Sequence, residues 1–313
     1  MEFFHKKTNF PFMATRKVWY TLSAILMLVS FASFFVRGLN FAIDFTGGIS
    51  IEANFEKAQG NAEREKIAAA VVAAGYHDPS VSTFGSNRDI TIRLQSTGES
   101  ADVLRPKFLA ILNGQDPKAQ ISKLEVVGPQ VGVELRNSAI KSLAVTLVLI
   151  ALYIIFRFHT WRLSVGAILA VMHDPILVLG VFSVTQTPFD LAVVAAILAV
   201  IGYSLNDTVI VFDRIRESFE KNRRQASDAT LDQAINQTLS RTIMTKVVTS
   251  IVVVTLLLLG GSALRGFSEA LLIGIIAGTY SSIYISSSIA LSFGLKAEHV
   301  FPPVRRDPID ELP

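Results

Sequence analysis

The chain has no cysteine, and charged residues make up only 18% of its 313 positions. The first absence removes disulfide frameworks, thiol nucleophiles and Cys-type metal sites together. The second separates the chain from soluble domains, in which about 25% of residues are charged. Hydrophobic residues fill the gap at 50%, which excludes a cytosolic globular enzyme and places most of the chain in lipid. An HExxH pair and a P-loop are also missing, so a membrane metalloprotease and a built-in ATPase have no support. Lys plus Arg number 29 and Asp plus Glu 26, and a net charge of +3 is too small to argue for nucleic acid.

What is present is a series of apolar runs. About 20 such residues cross a bilayer as a helix. Six runs qualify: Val18–Val36, Ser138–Phe156, Leu163–Val184, Phe189–Phe212, Thr242–Gly261 and Gly266–Gly294. The first is read as a retained anchor, because it is longer than the apolar core of a cleaved leader. Basic residues cluster before run one (Lys6, Lys7, Arg16, Lys17), between runs two and three (Arg157, Arg162), between four and five (Arg214 to Arg241) and in the tail (Lys296, Arg305, Arg306). The loops between runs three and four and between five and six are poor in them. The positive-inside rule then puts both termini in the cytoplasm and the long 37–137 segment outside. The expected organisation is a cytoplasmic N-terminus (1–17), helix 1 (18–36), an extracytoplasmic α+β domain (37–137), helices 2–6 (138–294) with a cytoplasmic loop at 213–241, and a cytoplasmic tail (295–313).

The outer segment carries 11 basic and 12 acidic residues, so it has no strong electrostatic preference. Phe41–Phe55 alternates around a Thr46-Gly47-Gly48 turn signal. Helical patterns follow at Asn61–Ala74 and Ala101–Leu112, with short strands at Val81–Phe84, Ile90–Leu94 and Ile121–Val127. The order β-β-α-β-β-α-β contains a ferredoxin-like unit. Its one histidine, His77, is expected to be solvated.

Ionisable groups inside apolar runs are costly and mark functional candidates. Asp207 lies six residues before Asp213, about 9 Å inside the end of run four at 1.5 Å per residue. Ser204, Asp207 and Thr208 share a helical face. Arg241 enters run five from the same side, so an Asp207–Arg241 contact fits the connectivity and would serve a proton relay. His173-Asp174-Pro175 sits at the midpoint of run three, as a relay or a structural clasp. Gly166, Ala170 and Asp174 form a stripe for close packing, as do Gly274 and Gly278 in run six. Lys246 is expected to snorkel to the inner surface; Asp190 and Glu269 are expected at interfaces. A shared-proton pair of Asp174 and Asp207 is disfavoured by a depth offset of several ångströms. No catalytic residue, metal site or cofactor is expected, and the chain is read as a non-enzyme.

Several stretches match a known family in order and spacing: Asp44-Phe45-Thr46-Gly47-Gly48, Val127-Gly128-Pro129-Gln130-Val131-Gly132, His173-Asp174, Ile201-Gly202-Tyr203-Ser204-Leu205-Asn206-Asp207-Thr208, Val211–Glu217 and Asn236–Thr242. Over essentially its whole length the sequence resembles the SecF family of the bacterial Sec protein translocase. The resemblance implies a six-helix half of an RND-superfamily transporter fold with an α+β ferredoxin-like extracytoplasmic domain between helices 1 and 2. It implies location in the bacterial cytoplasmic (inner) membrane and use of the proton-motive force to promote polypeptide export. The implied partners are a SecD-like subunit, a SecYEG-type channel, YajC-type and insertase subunits, unfolded preprotein and membrane lipid, with no nucleic acid. Proton coupling by an Asp and an Arg falls by motif on Asp207 and Arg241, with His173, Asp174, Ser204 and Asn206 as supporting polar groups. The sequence departs from the pattern at Pro175, where aliphatic residues are common, and at Lys246, where a small hydroxyl residue is common. The alternatives from other classes are a non-transporting scaffold for translocase partners and a proton-coupled small-molecule exporter half.

Overall fold

The computed structural model describes residues 8–84 and 86–301. Lys6, Lys7, Arg305 and Arg306, used for the orientation, lie outside those residues. In chain order, α1 (Arg16–Arg37) is followed by α2 (Ile43–Thr46), β1 (Gly48–Asn54), α3 (Asn61–Ala73), β2 (Ser80–Phe84), β3 (Ser86–Leu94), α4 (Ala101–Asn113) and β4 (Gln120–Val127). Then come α5 (Pro129–Arg157), α6 (Trp161–Thr185), α7 (Leu191–Lys221), α8 (Ser227–Leu259), α9 (Gly261–Tyr280), a π-helical turn (Ser281–Ile285), α10 (Ser286–Ser292) and α11 (Ala297–Val300). Two compact units result. The helical unit takes in the chain to Leu39, Leu143–Thr187 and the part from Val193; the sheet unit is Asn40–Ser142 with Pro188–Ala192.

Six helical segments are long and apolar enough to cross a membrane: α1, α5, α6, α7, α8 and the run from α9 through α10. The helical unit presents apolar side chains outward, as lipid requires, and buries polar groups among apolar ones. On α1, Val18, Leu28, Phe35 and Val36 are exposed, while Ser23 and Ser30 are buried. On α8, Val248, Ile251, Leu258 and Leu259 face outward. α6, α7 and the sixth span form the interior, and α1, α5 and α8 are peripheral. The interior helices meet through small residues. A Cβ on Gly166 would lie 2.5 Å from the Ser286 carbonyl oxygen, and one on Gly274 would overlap Val200.

The helices outrun their apolar stretches. The 213–241 segment, read from sequence as a loop, is helical except at 222–226. Arg214 and Lys221 both pair with Glu217 at i,i+3 and i,i+4 spacing, which carries α7 past its apolar run.

In the sheet unit the strand order is β2-β3-β1-β4, all antiparallel. Ile51 stands opposite Ile92 on one side and Leu124 on the other. Ile49, Ile51, Ala53, Ile90 and Ile92 point to one face and pack with Ile67 and Val71 of α3 and Leu104, Phe108 and Leu112 of α4. Alternation along the strands and an apolar stripe on each helix give a two-layer ferredoxin-like core. One expected strand is absent: Phe41 makes only an isolated parallel bridge to Phe189, and Ile43–Thr46 instead makes a helical turn. Gly47 (φ 70°) and Gly48 (φ 129°) end that turn and swing the chain into β1.

Candidate functional site

Polar side chains inside the helical unit form two neighbouring sites on one face of α7. The first centres on Asp174 of α6, which is fully buried. Its Oδ1 lies 3.1 Å from His173 Nδ1. Its Oδ2 accepts hydrogen bonds from Ser204 of α7 and, at 2.9 Å, from Ser281 Oγ in the π-helical turn. His173 Nε2 lies 2.8 Å from Ser23 Oγ of α1. An ionised Asp174 needs the proton on Nδ1, which leaves Nε2 to accept from Ser23. One carboxylate thus ties α1, α6, α7 and the sixth span. Gly278 makes room for it, since a Cβ there would come within 3.1 Å of Ser204 and 3.4 Å of the carboxylate. The π-turn is the one departure from α-geometry in the sixth span, and it delivers Ser281 to this carboxylate.

The second site is Asp207, 3% exposed, three residues along α7 from Ser204 and so about 4.5 Å further along the helix. Its Oδ2 lies 2.6 Å from Lys246 Nζ of α8. Lys246 is itself only 5% exposed, so it does not snorkel; it turns inward to the acid. The contact has ion-pair distance without hydrogen-bond angles, and among the described residues neither atom has another hydrogen-bond partner. The ammonium also sits 3.9 Å from the centroid of the Tyr203 ring. The Tyr203 hydroxyl is held on α8 by the Thr245 carbonyl and Thr249 Oγ1. The π-face offered to Lys246 is therefore fixed.

Other sequence-predicted residues fall elsewhere. Arg241 is exposed and makes no ion pair with Asp207 among the described residues. Five residues separate it from Lys246, about 140° around the helix and 7.5 Å along it, so Lys246 makes the direct contact with the acid while Arg241 acts on it through space. Asn206 is exposed, one step around α7 from Asp207. Ala170 is buried on the α6 face that carries Gly166 and Asp174. Asp174 and Asp207 do not form a dyad, because the oxygens of Asp174 are met by His173, Ser204 and Ser281. Among the described residues no three His, Asp or Glu side chains gather as a metal set.

Within the sheet unit, the Asp44–Gly48 stretch grips residues 189–191. Asp44 Oδ2 accepts the Leu191 amide at 3.0 Å, capping the first turn of α7. Phe45 stacks on Phe189, and backbone hydrogen bonds join Ala42 and Asn40 to Phe189. A Cβ on Gly47 would lie 2.7 Å from Pro129 Cα, and one on Gly48 would lie 2.5 Å from the Leu94 carbonyl. Both glycines are thus required by space as well as by φ. Arg93 of β3 donates to Asn40 Oδ1 at 2.9 Å. Burial holds its guanidinium below the usual arginine range, while the Asp190 and Glu52 carboxylates oppose that shift.

Residues 107–296 match the family model of the protein export membrane protein SecD/SecF, C-terminal, and residues 32–59 match the SecD/SecF GG motif. A protein translocase subunit SecF from Vibrio alginolyticus is 43% identical over 307 residues, covering 96% of each chain. The SecF subunit of Pseudomonas aeruginosa is 42% identical over 302 residues, covering 96% of this chain and 97% of that one. Among solved structures, the translocon-associated SecDF of Thermus aligns with a TM-score of 0.81 and 35% identity. The alignment covers 91% of this chain and 39% of that longer one. The GG motif is the Gly47-Gly48 turn beside the α7 cap, and the SecD/SecF C-terminal match spans both buried carboxylates. The chain therefore belongs to the SecD/SecF family of protein export membrane proteins, on its SecF side.

Proposed function

We propose that this chain is the SecF-type auxiliary subunit of a Sec protein translocase. In this reading it works with a SecD-like partner in the inner membrane and uses the proton-motive force to promote polypeptide export. Both termini lie in the cytoplasm and the sheet unit lies outside, where it handles the emerging chain. The orientation rests on Arg157, Arg162, Arg214, Arg216, Lys221, Arg223 and Arg224, all in the connections assigned to the cytoplasm. The chain itself carries out no bond chemistry.

The single observation behind the reading is a carboxylate, Asp207, buried in the helical unit opposite one cation. A buried ion pair is weak evidence for stability, because desolvation offsets the attraction. Placed inside a membrane helix, it is instead a candidate for carrying a proton. Protonation of Asp207 breaks the pairing, changes what α7 and α8 hold against each other, and so converts proton binding into helix movement. Arg241, nearer the basic end of α8, is the second charge of the route. Movement of α7 reaches the outer unit by chain continuity, since the first two residues of α7, Leu191 and Ala192, belong to that unit and Asp44 accepts the Leu191 amide.

The test is Asp207→Asn in proteoliposomes containing the SecD-like subunit, the channel and its ATP-driven motor. Export driven by ATP alone should persist, and the stimulation by an imposed proton gradient should vanish while co-purification of the subunits is unchanged. Full stimulation in that variant would refute the coupling role and favour a scaffold.

A further inference from the structure

The basic side chain that meets Asp207 is Lys246, and nothing in the proton-coupling reading requires a lysine there. Its depth, its direction and its surroundings are each specific. Lys246 lies in α8 among apolar, outward-facing neighbours, Val247 and Val248, yet turns inward. Its Nζ reaches Asp207 at 2.6 Å and the Tyr203 ring at 3.9 Å, with no hydrogen-bond acceptor of good geometry among the described residues. A lysine kept for anchorage would direct its ammonium to the interface. A buried ammonium held by one carboxylate and one aromatic face depends on that carboxylate being charged.

We propose that Lys246 is the tethered counter-ion of Asp207: it fixes the affinity of that carboxylate for the proton and defines the unprotonated state of the cycle. The assignment rests on the coupling role given to Asp207, and it places Lys246 as a positioning residue rather than a proton carrier. With Asp207 ionised, Lys246 and Asp207 lock α8 to α7. When the carboxyl takes a proton the lock opens. The ammonium then keeps the Tyr203 face and the longer-range attraction of Asp174 on its inner side. Its outer side opens on an apolar groove of about 700 Å³ lined by Trp19, Ile251, Thr279, Tyr280 and Tyr284. The other ionisable groups near the pair are His173 and Asp174 on α6, Tyr203 on α7, Arg241 on α8 and Tyr280 and Tyr284 in the sixth span. Of these, Asp174 is held by its own three partners and Arg241 is turned to the outside. Lys246 is thus the cation with direct control of Asp207.

The experiment uses the full chain purified with its SecD-like partner. A hydrophobic carbodiimide, which modifies protonated carboxyls shielded from water, is applied across a pH series. Labelling of the Asp207 peptide is then read by mass spectrometry. In Lys246→Met the midpoint of labelling should move to higher pH by at least one unit, a tenfold or greater gain in proton affinity. Lys246→Arg, which keeps the charge, should stay close to the wild-type midpoint. Methionine fills a similar apolar volume, and replacing one member of a buried pair by a neutral group leaves Asp207 free to take a proton instead of remaining charged. Coincident profiles for wild type and Lys246→Met would overturn the proposal. So would a shift produced by Arg241→Met and not by Lys246→Met, or loss of assembly in both Lys246 variants, which would make the residue a packing element. The labelling reads the pair directly, so it stands or falls separately from the export assay on Asp207→Asn.

Discussion

Asp174 offers the sharpest separation of a structural role from a coupling role. Replacing it by alanine strands three partners at once: His173 Nδ1, Ser204 Oγ and Ser281 Oγ. In water-soluble cores each orphaned buried donor costs about 1–3 kcal/mol. Hydrogen bonds between membrane helices average less, about 0.6 kcal/mol with a maximum near 1.7. Both serine hydroxyls can turn partly to backbone carbonyls of their own helices; Ser281 already lies 3.4 Å from the Gly278 carbonyl. The expected loss for Asp174→Ala is therefore about 2–4 kcal/mol, below a simple sum because of that rescue. Asparagine behaves differently. Its oxygen still accepts from a serine, and its amide can donate to His173 Nδ1 once the histidine moves its proton to Nε2 and donates to Ser23. The expected loss for Asp174→Asn is about 1 kcal/mol or less. The assay is unfolding of the purified protein in mixed micelles with rising SDS, followed by near-ultraviolet circular dichroism. Gradient-stimulated export is measured on the same variants. If Asp174 is a clasp, the asparagine variant keeps both stability and stimulation. An alanine variant within about 0.5 kcal/mol of wild type, or a stable asparagine variant that loses stimulation, would refute this account.

Other outcomes follow from single contacts. Gly166→Ala should destabilise by about 1–3 kcal/mol through overpacking, because its methyl would meet the Ser286 carbonyl at 2.5 Å, helix backbone against helix backbone. Gly202→Ala, with open space around it, should cost nothing in the same SDS titration. Asp44→Ala removes the cap from the first turn of α7 and should cost about 0.5–2 kcal/mol, seen as faster hydrogen exchange at Leu191 and its neighbours; Asp44→Asn should restore protection. On the surface of the sheet unit, Lys107 holds Glu99 below the usual carboxylate range. A carboxyl lowered in the folded state adds stability above its unfolded value and loses it as pH falls through the folded one. Glu99→Gln should therefore lower stability slightly above about pH 4.5, only at low ionic strength, and converge with wild type as the pH falls below that value. A Glu99→Gln effect that persists in 1 M salt would exclude this origin.

The membrane spans were legible because the bilayer demands long apolar runs whatever their partners. The two helices and most strands of the sheet unit were legible because one face of each is apolar at a regular spacing. Besides the helical extensions at 213–241, two features were not. Phe41–Phe45 reads as a strand by alternation, yet Gly47 and Gly48 close a helical turn whose Asp44 is needed by a distant amide. A cap given to another segment leaves no local signal. Lys246 was misread for a similar reason. Sequence gives the depth of a lysine but not the direction of its side chain, and a four-carbon stem can reach the interface or the interior. The helical wheel held a clue: on α8, Arg241 and Lys246 point about 140° apart, so one of them is better placed to touch Asp207. Which one does depends on the rotation of α8 against α7, fixed here by the Tyr203 hydroxyl between Thr245 and Thr249.

Opposite charges 2.6 Å apart cancel, and while they do, the transmembrane voltage finds little to act on at that depth. One proton added to Asp207 leaves an uncompensated ammonium, and the same two residues become a gating charge. A full crossing of one charge is worth about 2.3 kcal/mol per 100 mV, and even a partial displacement of Lys246 would take a share of it. The chemical and electrical parts of the ion gradient would then bear on a single helix in sequence, the electrical part only after the proton has arrived.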